Sequence, residues 1–142
     1  MTEISFYSHA SDKLGITRQL VAKAWLQKLN ILIYAPDETV AATIDRLLWT
    51  QPAMSFIPHC RDSSHLAAST PVIIGKNPDV LPSADVLINL GDEPPPVFSR
   101  FERLIEIVTE DEQDVLKGRQ RYRFYKDRGY GLVNHDLRNR GQ

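Results

Sequence analysis

Apolar and polar residues alternate in "EISFYS" (3–8), the two-residue period of a strand with two unlike faces. The period then lengthens. In "SDKLGITRQLVAKAWLQKLN" (11–30), Leu14, Val21 and Trp25 recur at helical spacing, and Ser11 is placed to cap the helix. "ILIYA" is a short unbroken apolar run, the mark of a strand covered on both faces. "PDETVAATIDRLLWT" returns to helical spacing, with Pro36 and Asp37 at its start. "MSFIP" predicts a short strand and the polar "HCRDSSHLAAST" a loop. "PVIIG" and "DVLINL" read as two more buried strands, separated by the loop "KNPDVLPSA". In "GDEPPPVFSRFE", Pro94 to Pro96 cannot sit inside a helix or a central strand, so the chain breaks there. "RLIEIVT" is a sixth strand. "EDEQDVLKGRQRYRFYKDRGY" is a last helix, opening with acids and closing with Arg128 and a glycine stop at Gly129. Residues 134–142 are expected to fray.

Short apolar strands alternating with helices predict an α/β fold: one three-layer domain over residues 1–142, with a mostly parallel sheet and helices on both faces. Its topology is expected to be Rossmann-like, without a nucleotide site.

Two helices carry residues that the core does not explain. With Val40 at zero, Ile44, Leu47 and Leu48 fall within about 80° of it, while Trp49 lies about 180° away, on the face that should meet water. In the last helix, with Val115 at zero, Gly118, Tyr122, Tyr125 and Gly129 share an arc about 80° wide. Arg119 and Lys126 border that arc, and Arg121 and Arg128 lie further round. Such a stripe holds little aliphatic volume. It suits an aromatic-walled hollow edged by cations, able to take an acidic and apolar peptide or single-stranded nucleic acid. A core face edged by snorkelling basic side chains is the plain alternative.

Charge sharpens this picture. The net charge is −1, yet from Lys117 onward there are eight Lys or Arg against two Asp, so the basic end is a local feature. It fits an acidic partner or a solvated helix face. The single cysteine, Cys60, forms no disulfide within the chain and suits a reducing cytoplasm. No apolar run approaches a membrane span, and "MTEISFYSHA" lacks a basic start followed by an apolar stretch, so neither insertion nor secretion is expected.

Catalytic and cofactor motifs are weak. Gly75 and Lys76 in "IIGKNP" lack the flanking residues of a phosphate loop, "GYG" at 129–131 ends a helix instead of opening one, and "YSHASDKLG" has no glycine cluster. His59, Cys60 and His65 match no common zinc spacing, and no metal or other cofactor is expected. Cys60 beside His59 is poor evidence of a catalytic pair, since adjacent residues point apart; Ser63 and Ser64 lack an elbow motif. Glu110, Asp111 and Glu112 are explained by the helix dipole.

"LLWTQPAMSFIPH", "INLGDEPPPVFSRFERLIEIV" and "RQRYRFYKDRGY", with "SFY" near the start, together resemble the DNA polymerase III chi subunit family over nearly the whole chain. The resemblance implies a cytoplasmic, non-catalytic α/β replication subunit. It would pair one-to-one with psi, which ties it to the clamp loader, and hold the acidic C-terminal tail of single-stranded-DNA-binding protein on a separate surface. On this reading Trp49, Pro52 and Phe56 meet psi, and Val108, Arg119, Tyr122, Arg123 and Lys126 meet the tail. Strong direct nucleic-acid binding is not expected. Lys126 stands where arginine is expected, which reduces a forked carboxylate contact to a point charge. The rivals are a single-strand nucleic-acid binder using the same basic helix and a small α/β enzyme.

Overall fold

The structure is a computed structural model that describes residues 2–50, 57–81 and 83–140. The elements in chain order are β1 (Glu3–Ala10), α1 (Lys13–Leu26), β2 (Ile31–Tyr34), α2 (Glu38–Thr50), β3 (His59–Arg61), β4 (Val72–Gly75), β5 (Val86–Asn89), β6 (Arg103–Thr109), α3 (Glu112–Asp127) and β7 (Leu132–Asp136). The strands form one seven-stranded sheet in the order β3-β4-β2-β5-β6-β1-β7, and every neighbouring pair is parallel.

Strand parity divides the core. Ile31, Ile33, Ile74, Ile88 and Ile105 point to one face, where Val21 and Ala24 of α1 and Ala41, Ile44 and Leu48 of α2 cover them. Leu32, Ile73, Leu87 and Leu104 point to the other, under Tyr125 of α3 and the aromatics Phe98 and Phe101. Every residue of β4 and β5 is buried, which is why they read as unbroken apolar runs. The α/β class and layered sheet are therefore as expected, with a wholly parallel sheet.

Local expectations differ at several points. Asp12, not Ser11, is the N-cap of α1, and its side chain makes no capping bond. Part of the stretch read as a loop after Pro58 is β3, whose three residues pair with β4. The segment expected to fray from residue 134 supplies most of β7, which lies parallel along β1. Tyr7 stacks on His135 at 4.5 Å between ring centres, and this contact pins β7 where its own sequence is too polar to announce a strand. The "MSF" of the expected strand at 54–58 falls outside the described residues.

The largest difference concerns the rotation of α3. Its buried residues are Gly118, Arg121 and Tyr125; Tyr122 is half-buried and Gly129 exposed. The reason lies in the strand beneath. Glu106 points from β6 toward α3 and is wholly buried; Arg121 Nε donates to its Oε1 at 2.9 Å. Asn89 Nδ2 donates to Oε2 at 2.9 Å, and the Tyr125 hydroxyl donates to the same oxygen. Arg121 Nη1 also reaches the Asp92 carbonyl at 3.1 Å. Burial pushes the Glu106 carboxyl above its ordinary range, against the pull of Arg121. An arginine placed far from the core by its helical angle is thus drawn inward by the buried Glu106 carboxylate with which it pairs.

The helix ends on Gly129 as expected. Gly129 adopts φ 86°, its N–H donates to Lys126 O at 3.0 Å, and Tyr130 N–H donates to Tyr125 O at 3.2 Å. These are the two bonds of a Schellman stop.

Candidate functional site

At the carboxyl ends of β1 and β6 the chain leaves the sheet in opposite directions. β1 runs into α1 on one face, whereas β6 runs into α3 on the other, and the two strands are neighbours. Adjacent strands that part in this way open a crevice between them, the usual ligand position in parallel α/β sheets. Beside this point, on the α3 face, lies a cleft of about 310 Å³ bounded by β1, β6, β7 and α3. Phe6, Val108 and Val115 make its apolar lining. Ser8, His9, Thr109, Arg119 and Asn134 supply polar groups round it.

Three local features shape the cleft. Gly118 lets α3 approach β6 closely: a Cβ there would sit 2.7 Å from Val108 Cγ2. Asp111 caps α3 by accepting from Asp114 N–H at 3.1 Å. Asp114 in turn accepts from Thr109 N–H at 2.8 Å and Thr109 Oγ1 at 2.9 Å, and pairs with Lys13 at 3.1 Å. Burial of Asp114 opposes its charge, but Thr109 and Lys13 outweigh it and hold the carboxyl below its usual range. The third feature is a β-bulge. Tyr7 is level with Ile107 and Ala10 with Thr109, so Ser8 and His9 together stand opposite Val108. His9 takes φ 60°, in the left-handed region that non-glycine residues seldom enter.

The sequence-predicted tail residues gather on this side of α3 to different extents. Val108 and Arg119 line the cleft. Tyr122 lies behind it, its ring edge-on to Phe6 at 5.2 Å. Arg123 and Lys126 do not line it; they continue from Arg119 along the exposed face of α3, about one and two turns further on. Among the described residues, Arg119, Arg123 and Lys126 form no salt bridge. Other cations of the same helix are engaged: Lys117 with Asp92 at 3.0 Å, Arg121 with Glu106, and Arg128 over the Phe124 ring at 3.5 Å.

Trp49 occupies the other end of the sheet. It is 57% exposed, and its ring leans on the buried His59 of β3 at 4.3 Å. Asp45 and Glu38 share that flank of α2, Glu38 pairing with Arg61 of β3. Pro52 and Phe56, grouped with Trp49 from the sequence, lie outside the described residues. His59 and Cys60 sit on β3, and no group of three His, Cys, Asp or Glu able to hold a metal occurs among the described residues. No helix among them is long and apolar enough to cross a membrane.

Residues 1–133 match the family model described as DNA polymerase III chi subunit, HolC. The chain belongs to the chi subunit family. Its relatives include the DNA polymerase III subunit chi of Pseudomonas aeruginosa, 32% identical over 96% of this chain and 98% of that protein. The Escherichia coli protein of the same name is 30% identical over 85% of this chain and 86% of its own length. Among solved structures, the Hef helicase domain of Pyrococcus furiosus superposes with a TM-score of 0.57 at 14% identity. It covers 82% of this chain but only 28% of the Hef chain, so the likeness is one of fold.

Within this chi chain, sequence reasoning missed Ser8, His9 and Arg121. Ser8 and His9 carry no motif, and only the bulge brings them to the cleft. Arg121 could have been found by asking which cation answers Glu106, the lone acid inside the apolar strand "RLIEIVT".

Proposed function

We propose that this chi chain is a non-catalytic accessory subunit of DNA polymerase III in DNA replication, acting as a two-sided connector in the cytoplasm. Its Trp49 end, with Pro52 and Phe56, docks psi and through it the clamp loader. Its cleft side, with Val108, Arg119, Tyr122, Arg123 and Lys126, captures the acidic C-terminal tail of single-stranded-DNA-binding protein. The observation that carries this reading is the pairing of an apolar cleft with a row of exposed cations on α3 that form no salt bridge among the described residues. Apolar contact and positive charge side by side suit a peptide that is acidic and ends in a large apolar residue.

The separation of the two regions supports bridging. β3 and β1 are five strand spacings apart in the sheet, about 24 Å, so two partners can bind together. An exposed tryptophan is a usual anchor of an interface. Tethering through both faces raises the local concentration of the polymerase on protein-coated template without a strong DNA contact. Direct single-strand binding is the weaker reading, because the Tyr122 ring is half-buried and packed edge-to-face with Phe6, which leaves less of it to stack on bases.

Titration with a short acidic peptide ending in Pro-Phe, at low and high salt, tests the cleft. Binding should weaken with salt and fall sharply in Arg119→Ala. Tight oligonucleotide binding without peptide binding would refute it. Co-purification with psi, lost in Trp49→Ala while peptide binding persists, tests the other end.

A further inference from the structure

The peptide reading accounts for Arg119 and the apolar lining but leaves Ser8 and His9, at the end of β1, unused. That end is built in an uncommon way. The strand spends two residues, Ser8 and His9, where β6 spends one, and His9 is held in a left-handed conformation. Bulges and such backbone outliers gather at binding sites because they re-aim side chains. Here the alternation of β1 puts Ser8 on the same face as Ile4 and Phe6, the face roofed by α3. Its hydroxyl is buried and makes no hydrogen bond among the described residues. A buried hydroxyl left in that state costs free energy that a ligand oxygen would recover.

We propose that Ser8 and His9 form the β1 half of an anion seat whose α3 half is Arg119, and that this seat receives the terminal carboxylate of the captured peptide. The inference rests on the peptide-capture reading and goes beyond it in naming the residues that read the chain end. Ser8 donates its hydroxyl hydrogen, His9 offers a ring N–H, and Arg119 supplies the fixed charge. The last side chain of the peptide then lies against Phe6, Val108 and Val115. The one acid in register beside Ser8 is Asp136, which Arg138 pairs with at 2.7 Å and whose charge also faces His9. No unmatched carboxylate in register beside Ser8 therefore opposes the incoming one. Asn134 lines the same cleft and places a neutral amide beside it, whereas the donors of Thr109 are already given to Asp114.

The test compares two forms of the acidic peptide ending in Pro-Phe, one with a free terminal carboxylate and one amidated, by fluorescence anisotropy on the whole chain. Wild type should prefer the free acid about tenfold or more. Ser8→Ala should lose most of that preference while binding the amide within about twofold of wild type. Ser8→Thr, which keeps a hydroxyl, should retain it, and this separates a lost bond from a damaged fold. His9→Asn, which tolerates the left-handed backbone, should reduce the preference about threefold at low salt. If Ser8→Ala and His9→Asn both keep the full preference while Arg119→Ala abolishes binding, the seat is wrong and the peptide reading stands. If wild type binds neither peptide at low salt, the peptide reading itself fails, and the seat with it.

Discussion

Arg119 and Arg121 are two residues apart on α3 and face opposite fates. Arg121 is 1% exposed and locked to Glu106, Asn89 and Tyr125 being part of the same network. Arg119 is exposed and has no ion-pair partner among the described residues. Two residues rotate a helix by about 200°, so one basic sequence, "RQRYRFYK", supplies both a buried structural cation and the exposed cation proposed for recognition. The difference teaches that basic character alone assigns no role; the partner beneath does. Arg121 has Glu106 under it, while Arg119 has the apolar cleft beside it.

The comparison is broken most severely from the buried side. Arg121→Ala strands the Glu106 carboxylate in the core and should destabilise the fold by about 3–5 kcal/mol, read by urea denaturation. The double variant Glu106→Leu with Arg121→Met removes both charges and should recover most of that loss. No recovery would mean that the pair does more than neutralise itself. Gly118→Ala acts between the two faces. Its new methyl meets Val108 at 2.7 Å and should cost about 1–3 kcal/mol while pushing α3 away from the cleft. Unchanged stability together with unchanged peptide affinity would show that the helix can shift freely.

On the recognition side, Arg119→Ala should leave stability within about 0.5 kcal/mol and weaken the acidic peptide about tenfold or more at low salt. Arg119→Lys should recover only part of this, because an ammonium cannot fork onto a carboxylate. Equal binding by Arg119→Ala and wild type would place the cation row outside the site.

The two faces were not equally legible in the sequence. The central strands could be read because burial on both sides leaves unbroken apolar runs, as in "PVIIG" and "DVLINL". The start of α3 could be read from Asp111 and its end from Gly129, since each acts locally. Arg119 and Val108 could be named because the resemblance to a family carries them. The rotation of α3 could not be read from the helix's own pattern, because it depends on Glu106, fifteen residues before Arg121 and on another element; the lone acid in "RLIEIVT" was its one signal. β7 was hidden for a related reason: its polar residues hold a place on the sheet through β1, not through their own pattern. Ser8 and His9 were hidden because a bulge is a relation between two strands, visible only once β1 and β6 are in register.

The smallest expected effect concerns the link that holds the cleft mouth to both helices. Asp114 is only partly buried, so its contribution is screened, yet it joins Thr109 of β6, Lys13 of α1 and the first turn of α3. Its carboxyl is held below the ordinary value in the folded chain. A group with a depressed folded pKa binds its proton more readily when unfolded, so it stabilises the fold at pH values above its unfolded pKa. That contribution is retained down to about pH 4 and lost as the pH falls further through the folded value. Thermal unfolding followed from pH 6 downward should therefore show a steeper acid loss in wild type than in Asp114→Asn. The variant should begin lower at pH 6, because asparagine keeps an acceptor for Thr109 but not the charge for Lys13. Parallel curves for the two would mean that the carboxylate does not hold β6 to α1, and that the mouth of the cleft rests on the Gly118–Val108 approach and the β1 bulge instead.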